Sequence, residues 1–408
     1  MPPIAPKSPG RKRVLWLQTQ PEHYFNRMMD DLARRSPEIE YVAAFSWPGP
    51  GWYEDNAPAV APWLTLTPRA GVKGPPTMSG GFHADWRREL FSLEIDAAVV
   101  SGYGYRTHWK FIGECARRGI PLAMFSDSNI RSQRGHTLRL RLKRRLKRFL
   151  LHKLISQSQF LLTANTRGLA YWRYFGAPRE KLVLCPYYGD YPRARAAAAK
   201  PRGEVLARHG LPPEARYIFT AARLVPAKGL DLALLAFQAH QRQDPNWHYL
   251  IAGVGPEERA LRALAGDALG KSVHFLGFQQ PTDNLALMAH ADLHVLPSRY
   301  EPHGIVVAEA ACVGTPTLAS DVCGAAAALV RPRISGEIFR SGDLADLTLK
   351  LHHLLADREH LRALRGGATA TFEEWFARTN PVVVTDRIAR QMLNLPAADA
   401  TSAPGVFS

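Results

Sequence analysis

Two glutamates, Glu301 and Glu309, lie eight positions apart in the segment EPHGIVVAE. A strand-like apolar run at 293–296 precedes them, and a helix-like pattern at 304–313 contains the second glutamate. The N–H groups and dipole of a helix N-terminus suit an anion, and one carboxylate can accept hydrogen bonds from two vicinal hydroxyls. The pair therefore predicts a ligand that is anionic at its centre and hydroxylated at its ends, as nucleotide sugars are.

Two cations stand at the end of another predicted strand. Arg223 and Lys228 follow the strand-like residues 217–221 and precede a helical pattern. Together they could clamp a diphosphate, because arginine offers a bidentate fork and lysine a point charge. Taken alone the pair is a weak signal, since cations in a surface loop are usually only solvated.

Gly253 and Gly255 follow the next predicted strand. The segment lacks the third glycine of a dinucleotide-binding fingerprint, because Glu258 stands at that position, and we therefore exclude that fingerprint. Two interpretations stay open for these glycines, a tight turn or a close approach of the backbone to a ligand.

The composition indicates a globular, basic protein. Its 408 residues suggest two or three domains, and its net charge of +16 favours an anionic partner such as nucleic acid, a membrane surface or a phosphorylated substrate. Four widely spaced cysteines without a C-x-x-C motif favour free thiols in a reducing compartment. No apolar stretch approaches the roughly 18 residues of a spanning helix, and the apolar run at 14–17 is too short for a signal peptide, so we expect a cytoplasmic protein.

Two stretches of the chain alternate strand-like and helix-like patterns, which is typical of parallel α/β sheets. The predicted strands of the first stretch are residues 13–17, 41–45, 97–100, 122–125, 160–163 and 182–184. Those of the second are residues 217–221, 249–252, 273–276, 293–296 and 316–319. The sequence thus predicts two doubly wound parallel sheets, whose ligands bind outside the carboxyl ends of the strands.

Composition also suggests where the domains divide. Residues 47–81, rich in Pro, Gly and Trp, indicate a long loop, and the Ala-, Arg- and Pro-rich residues 193–203 indicate a linker. We therefore assign one domain to residues 1–192 and a second to residues 204–371. A final helix at about 372–395 is expected to pack back on the first domain.

Taken together, the motifs of the second half resemble the GT-B-fold retaining glycosyltransferases of family 4, also called glycosyl transferases group 1. The matching segments keep the order and spacing of that family over most of residues 215–340, whereas the first half matches in general layout only. The motifs that carry the resemblance lie at 223–229, 253–256, 275–277, 296–304, 309–310, 314–316 and 336–339.

The resemblance implies an α/β fold of two Rossmann-like domains facing a cleft, the first binding the acceptor and the second the donor. It implies transfer from a UDP- or GDP-sugar with no further cofactor and no metal. By position, Arg223 and Lys228 would neutralise the diphosphate and Glu309 would accept from the ribose hydroxyls. Glu301 would hold hydroxyls of the transferred sugar, and Gly304 would let the backbone approach it.

The remaining donor-side candidates are Gly253, Gly255, His303 and Ile305. His303 stands where many relatives carry a bulky apolar residue, and either a contact with the sugar or a structural role would account for it. Residues 323–328 (CGAAAA) replace a Gly-Gly pair that an acidic residue often follows. These departures leave the identity of the donor sugar open.

On the acceptor side the sequence offers individual residues rather than a motif. Gln20, Tyr103 and Asp127 follow three predicted strands and are our acceptor-side candidates, although Asp127 would equally serve as a helix cap. His108 is our fourth catalytic candidate, after Glu301, Arg223 and Lys228, because some relatives place a histidine near this point against the donor sugar.

A basic stretch carries the remaining signal. Leucines recur every four residues from 138 to 154, with Arg and Lys between them, and the pattern suits a helix on an anionic membrane surface. Packing of the leucines on the domain core, or binding of a phosphate-bearing acceptor, would explain it too, and nucleic acid is not expected because no recognisable module accompanies the charge. The membrane-surface candidates are Arg141, Arg144, Arg145, Lys147 and Arg148.

The sequence therefore predicts a retaining, metal-independent hexosyltransferase that acts on a membrane-associated or lipid-linked glycan. We expect it in the cytoplasm, peripherally on the inner face of the cell membrane. The absence of a convincing nucleophile favours a front-face displacement, in which the leaving phosphate takes the proton of the acceptor. Two alternatives stay open, another sugar-nucleotide enzyme such as an epimerase and a non-catalytic nucleotide-sugar-binding scaffold.

Overall fold

The protein, a computed structural model, divides into two compact units. Residues 4–48, 57–68, 83, 85–130 and 138–398 are described, with the backbone alone for 138–146. The first unit joins the chain up to Tyr188 with the residues from Thr379 onward, and the second unit is Gly189–Arg378.

Within the described residues, the first unit builds one parallel sheet. Its seven strands are β1 (Lys12–Gln18), β2 (Ile39–Phe45), β3 (Trp63–Thr65), β4 (Ala97–Ser101), β5 (Leu122–Ser126), β6 (Phe160–Thr163) and β7 (Leu182–Leu184). They lie in the order β3-β2-β1-β4-β5-β6-β7. Its helices before the second unit are α1 (His23–Arg35), α2 (Trp86–Phe91), α3 (Arg106–Arg118), α4 (Leu138–Gln157) and α5 (Thr166–Tyr174).

The central strands of this sheet are apolar throughout. Val14, Leu15, Trp16 and Leu17 of β1 are at most 2% exposed. A parallel strand with helices on both faces has no solvent-facing side, so a continuous apolar run is what it needs. The order of strands reverses between β1 and β4, and this places the ligand-binding edge of the sheet at the loops that follow these two strands.

The second unit repeats the design. Among the residues described, its parallel strands are β8 (Arg216–Ala221), β9 (Trp247–Ala252), β10 (Val273–Gly277), β11 (Leu293–Leu296), β12 (Thr317–Ser320) and β13 (Gly336–Phe339), in the order β10-β9-β8-β11-β12-β13. Its helices are α6 (Tyr191–Ala198), α7 (Arg202–Ala207), α8 (Leu230–Gln241), α9 (Glu258–Ala265), α10 (Pro281–His290), α11 (Ile305–Cys312), α12 (Ala326–Leu329), α13 (Leu344–Ala356) and α14 (Arg358–Thr379). Here the order reverses between β8 and β11.

The two doubly wound parallel sheets confirm the predicted fold class, and the strands that we predicted all form. Several short elements escaped prediction, among them β3, which lies inside the segment interpreted as a loop and pairs with β2, and β13, which closes the second sheet. The short helices α2, α7 and α12 were not predicted either. Strands of three or four residues carry too little alternation to be recognised from sequence alone.

The predicted linker at 193–203 is wrong as an irregular segment, because α6 occupies most of it. Asp190 caps this helix by accepting from the backbone N–H of Arg193 at 3.2 Å. Tyr191 is fully buried, with its ring 4.8 Å from that of Phe372 and 5.1 Å from that of Phe376. The alanines that suggested flexibility instead give close packing against α10 and α11.

The chain returns to the first unit through α15 (Pro381–Leu393), while residues 372–379 still belong to α14. Asp386 of α15 accepts from Ser36 Oγ at 2.6 Å and from the Tyr41 hydroxyl at 2.9 Å. Arg390 donates to Asp386 at 3.0 Å. Asp386 is 2% exposed, so this buried network of charged and polar groups fixes the helix on α1 and β2.

The second half of α4 buries only part of the predicted leucine stripe. Leu151, Leu154 and Ile155 face the core, whereas Leu150 is 42% exposed. A four-residue step overshoots a helical turn of 3.6 residues, so a stripe with that spacing drifts around the helix. The core therefore uses residues three and four apart, and Leu150 is left at the surface.

Candidate functional site

Lys228 and Glu301 form an ion pair in the second unit. Lys228 Nζ donates to Glu301 Oε2 at 2.5 Å, and Ser298 Oγ donates to the same oxygen at 3.2 Å. Lys228 ends a 3-10 turn that follows β8, and Glu301 follows β11. These are the two strands between which the strand order reverses, and ligands of such sheets bind there. The structure thus brings two of the predicted catalytic residues into contact.

A second pair holds the two loops together. Arg299 donates to both carboxylate oxygens of Asp231, each at 2.6 Å. The backbone N–H groups of Arg299 and Tyr300 donate to the carbonyl of Ala227 at 2.8 Å and 3.1 Å. Backbone and side-chain hydrogen bonds therefore connect the loop that carries Lys228 to the loop that carries Glu301. Arg299 and Asp231 were not recognised from the sequence, because an Arg and an Asp 68 residues apart form no motif.

Gly253 and Gly255 have a packing reason for being glycine. A Cβ on Gly253 would lie 1.9 Å from the carbonyl oxygen of Ala222, and one on Gly255 would lie 2.3 Å from that of Leu224. Gly253 also has a φ of +139°, which favours glycine. Both glycines allow the loop after β9 to lie against residues 222–224. Their contact with a donor stays a prediction.

Arg223 lies at the surface in this loop. Its side chain is exposed, and in the described part of the chain no hydrogen bond or ion pair holds it. The backbone beside it is fixed, since Leu224 N–H donates to the Val254 carbonyl at 3.0 Å. The structure therefore presents a guanidinium on an anchored loop, next in the chain to the turn that carries Lys228.

Gly304 places the start of α11 against Glu301. Its φ is +86°, and a Cβ there would lie 2.7 Å from Cys323 Sγ and 3.2 Å from Glu301 Cγ. A side chain at this position would displace Glu301. Ile305, the first residue of α11, is half-buried.

His303 is held inside the fold. Its ring is 4% exposed, and burial lowers its pKa to about 3, so the ring is neutral at physiological pH. Its carbonyl accepts from Ala325 N–H at 2.7 Å and from Cys323 Sγ at 3.2 Å. These contacts give the segment around Cys323 a structural role, and a contact between His303 and a sugar stays a prediction.

Glu309 is a buried carboxyl with no hydrogen bond from any described group. It is 9% exposed and lies on α11. Burial raises its pKa to about 7, and the nearby carboxylate of Asp190 raises it further in the same direction. A buried acceptor without a donor is costly unless a ligand supplies one. The side chain is thus poised to receive hydroxyl hydrogens.

The first unit gathers polar side chains at its own strand ends. Gln20 Nε2 donates to Glu22 Oε1 at 3.3 Å. Burial raises the pKa of Glu22 to about 7, and the charge of Asp127 adds to the rise. The hydroxyl of Tyr187 donates to Asp127, and burial followed by that charge raises the pKa of Tyr187 well above its ordinary value. Gln20 and Asp127 were predicted, whereas Glu22 and Tyr187 were missed because neither belongs to a recognisable motif.

Tyr103 and His108 serve the interior of the first unit. The hydroxyl of Tyr103 hydrogen-bonds Ser128 Oγ at 2.9 Å and the Tyr171 hydroxyl at 2.6 Å. His108 is fully buried, with Nε2 3.0 Å from Ser46 Oγ and Nδ1 3.3 Å from the Gly102 carbonyl. Burial lowers the pKa of His108 to about 4. A direct part for His108 in catalysis stays a prediction, and its burial argues against it.

The basic candidates of α4 separate into three groups. Lys147 is half-buried, with Nζ 5.2 Å from the ring centre of Tyr171, and its contact with a membrane surface stays a prediction. Arg148 is exposed and donates to the Tyr174 carbonyl at 3.4 Å. The side chains of Arg141, Arg144 and Arg145 lie outside the described residues.

The described chain offers no group of three or more His, Cys, Asp or Glu side chains that could hold a metal ion. The four cysteines are buried, and none of them forms a disulfide. No described helix combines the length and hydropathy needed to cross a membrane.

Comparison with known proteins agrees with the geometry of the second unit. The family model for glycosyl transferases group 1 matches residues 202–370. A D-inositol 3-phosphate glycosyltransferase of Nocardia farcinica is 33% identical over 212 residues, 49% of this chain and 46% of that protein. A glycogen synthase of Mycobacterium tuberculosis is 32% identical over 204 residues, 49% of this chain and 47% of that protein. The chain spans about half the length of the curated relatives it matches.

Solved structures resemble the chain over nearly its whole length. HepE of Anabaena, in complex with UDP and glucose, superposes with a TM-score of 0.70 at 17% identity, over 94% of this chain and all of that one. A sucrose-phosphate synthase of Thermosynechococcus elongatus gives a TM-score of 0.70 at 16% identity over the same shares. At these identities the likeness is one of fold. The chain therefore has the GT-B fold, and residues 202–370 of its second unit match the glycosyl transferases group 1 family model.

Proposed function

We propose that this protein is a retaining glycosyltransferase that moves a sugar from a nucleoside diphosphate sugar to a hydroxyl of an acceptor. The observation that carries the proposal is the contact of Lys228 with Glu301 at the strand-order reversal of the second unit. The group 1 segment matched there, and the UDP complexes of structural neighbours such as HepE, support the donor class. A UDP- or GDP-sugar is the proposed co-substrate, and no metal or other cofactor is proposed.

Donor binding would redistribute the charges of this site. The diphosphate would take Lys228 and the exposed Arg223 as counter-ions, and Glu301 would turn from Lys228 to hydroxyls of the transferred sugar. Glu309 would accept from the ribose, the role for which its buried and unpaired carboxyl is suited. Positive charge fixed at the diphosphate is worth most when the leaving group departs, because negative charge grows there in the transition state.

We propose a front-face displacement for the transfer. In it the departing phosphate oxygen takes the proton of the acceptor hydroxyl, and no protein nucleophile is required. The carboxylate of Glu301 accepts hydrogen bonds from Lys228 and Ser298. These bonds support a role for Glu301 in binding the sugar rather than in nucleophilic attack on it. Trapping of a glycosyl-enzyme intermediate on a side chain would contradict this mechanism.

The proposed acceptor is a membrane-associated or lipid-linked glycan, and α4 is the element proposed to meet the membrane from the cytoplasmic side. Phe149 is 77% exposed and Leu150 is 42% exposed, and both follow the exposed Arg148. Apolar side chains beside cations suit an anionic lipid surface. Co-sedimentation with anionic vesicles should fall several-fold when Phe149 and Leu150 become serine. Matched serine replacements of the exposed Leu269 and Ile334 in the second unit should leave it unchanged.

The transfer proposal is tested by nucleotide release. The protein is incubated with UDP-, GDP- and ADP-sugars and a membrane extract as acceptor, and nucleoside diphosphate is measured beside labelled product. Glu301→Gln and Lys228→Ala should each lower the rate about 100-fold or more, as expected of groups that stabilise a transition-state charge. Lys271→Ala, which removes an exposed cation of the same unit, is the control.

The same assay separates the two alternatives. An epimerase would convert the donor sugar without releasing nucleoside diphosphate in step with a glycosylated product. A non-catalytic scaffold would bind the donor and release nothing, and the two substitutions would change binding alone. Wild-type protein that transfers no sugar from any donor would refute the proposal.

A further inference from the structure

A small pocket in the first unit is walled by aromatic rings. It opens at the carboxyl ends of β1 and β4, where the strand order reverses and a doubly wound sheet binds its ligands. Its principal side chains are Trp16, Tyr24, Phe25, Phe125 and Tyr187. The pocket belongs wholly to the first unit, and neither the donor-side residues nor His108 line it.

The walls support one another. The ring centres of Trp16 and Phe25 are 5.5 Å apart, those of Trp16 and Phe125 are 6.2 Å apart, and those of Phe125 and Tyr187 are 5.2 Å apart. Trp16 Nε1 donates to Ser101 Oγ at 2.8 Å. Rings that contact each other in this way lose little freedom when a ligand enters, so the pocket is preformed.

Gln18 contributes an unsatisfied polar atom to this apolar pocket. It lines the pocket on the same face of β1 as Trp16. Its side chain is 8% exposed, and its Oε1 is buried without a hydrogen-bond partner. Such atoms are rare in folded proteins and call for a partner. A hydroxyl is the suitable one, because it can donate to the amide oxygen and, if the amide is turned over, accept from the amide nitrogen.

The size of the pocket limits what can enter. It leaves about 20 Å³ for the centres of water-sized groups, and a single water needs roughly 10–15 Å³ of this kind. A sugar ring is therefore too large, whereas an arm of one carbon and one oxygen fits. The aromatic walls favour the carbon, and Gln18 requires the oxygen.

Tyr187 connects the pocket to two acidic side chains. Its ring is a wall of the pocket, and its hydroxyl donates to Asp127. Glu22 interacts electrostatically with both Asp127 and Tyr187. Carboxyl groups beside this wall can accept hydrogen bonds from ring hydroxyls of a sugar whose arm fills the pocket.

We propose that this pocket receives the hydroxymethyl arm of a hexopyranose, with its hydroxyl on Gln18 and its ring hydroxyls on Asp127 and Glu22. The proposal rests on the proposed function and names the acceptor class, a neutral hexopyranose unit. A pentopyranose and a cyclitol both lack the arm, so neither fills the pocket.

The experiment compares ligands that differ only in this arm. Methyl glycosides of glucose, galactose and mannose are titrated onto the full chain by saturation-transfer NMR. The best of them is then compared with its 6-deoxy analogue and with the methyl pentopyranoside of the same ring configuration, which for glucose is the xyloside. The hexoside should bind at least about 10-fold more tightly than the matched pentoside, with the strongest saturation on its C6 protons. The affinity for the 6-deoxy sugar should lie between these two affinities, because its methyl group fills the pocket but forms no hydrogen bond with Gln18.

Gln18→Met removes the amide at nearly constant side-chain volume. It should lower the affinity for the hexoside to that for its 6-deoxy analogue. Gln159→Met, at an exposed glutamine of the same unit, is the control and should leave both affinities unchanged. The ligand comparison on the wild type needs no variant, so it decides even if Gln18→Met does not fold. Equal binding of the hexoside and the matched pentoside, or no binding of any hexoside, would overturn the proposal.

Nucleotide release, measured after nucleotide sugar is added to the same samples, separates this proposal from the proposed function. Transfer without selectivity for the arm would refute the pocket alone. Arm-selective binding without any transfer would refute the glycosyltransferase proposal and leave the pocket standing.

Discussion

Lys228 Nζ and Glu301 Oε2 lie 2.5 Å apart, so two groups proposed to act on different parts of one substrate neutralise each other before it arrives. Glu301 is 8% exposed. Removal of the lysine therefore leaves a buried carboxylate without its cation, which is costlier than removal of the pair. The ion pair keeps the unliganded site stable, and the donor would break it.

This arrangement predicts a coupling that is measurable without substrate. Lys228→Ala should lower the free energy of unfolding by about 1–3 kcal/mol. The double variant with Glu301→Gln should lose less than the sum of the two single variants, with a coupling of about 1–2 kcal/mol. Chemical denaturation of the four proteins in the cycle measures it. Strict additivity would mean that the pair does not form in solution.

The pair of Arg299 with Asp231 should matter for activity more than for stability. Both side chains are more than a third exposed, and surface pairs contribute at most about 1 kcal/mol. Arg299→Leu should nevertheless lower kcat about tenfold, because it frees the loop of Glu301 to move, and small misplacements of reacting groups are costly. The KM for the donor should change little. Arg262→Leu, which removes a comparable surface pair with Glu258, should change neither parameter.

Donor affinity should depend on pH through Glu309. The carboxylate form accepts ribose hydroxyls, and the pKa of this group is raised to about 7 in the free protein. Affinity should therefore rise as the pH increases from 6 to 8, by about tenfold over that range if one proton is released. Titration with an intact nucleotide sugar avoids the ionisation of a free terminal phosphate. Glu309→Gln should flatten the profile, and an unchanged profile would exclude Glu309 as its source.

His108 should stabilise the first unit rather than take part in transfer. Its pKa is lowered from an ordinary 6.5 to about 4 by burial, so the unfolded chain binds a proton that the folded chain refuses. The resulting stability is present above pH 6.5 and is lost as the pH falls from 6.5 toward 4, by about 3 kcal/mol in all.

Comparison of His108→Gln with the wild type at several pH values isolates this contribution, since His294 and His303 titrate alike in both proteins. The variant should show the shallower dependence on pH. If the variant keeps the wild-type dependence of stability on pH and loses transfer activity, His108 takes part in catalysis.

Asp386 should be among the residues most sensitive to change in the first unit. Asp386→Ala would leave Arg390 and the Ser36 hydroxyl without their shared acceptor. Loss of one partner of a buried charge network costs about 3–5 kcal/mol. Thermal unfolding checks this, with Asp267→Ala at an exposed aspartate as the control, expected to change the free energy by less than about 1 kcal/mol.

The sequence predicts the second unit better than the first for a physical reason. Lys228, Glu301 and Gly304 lie after β8 and β11, where contacts between the loops and the close packing at Gly304 leave few acceptable residues at fixed spacing. The strands were predictable because burial on both faces requires apolar runs.

What escaped prediction depends on contacts between distant residues. Gln18, Glu22 and Tyr187 meet only after β1 and β7 take their places in the sheet, and no local pattern marks their meeting. Arg299 and Asp231 are a similar case. The leucine stripe of α4 did not predict which residues the helix buries. A step of four residues exceeds the 3.6 residues of one helical turn, so successive leucines move around the helix and away from the core.

The division of the chain into units has a consequence for synthesis. The second unit is continuous, so it can finish folding once Arg378 has left the ribosome. The first unit is begun earlier and completed later, because the partners of Ser36 and Tyr41 arrive with α15. Until α15 has been synthesised, α1 and β2 lack the helix that packs on them. The residues after Arg378 are therefore needed to complete the first unit.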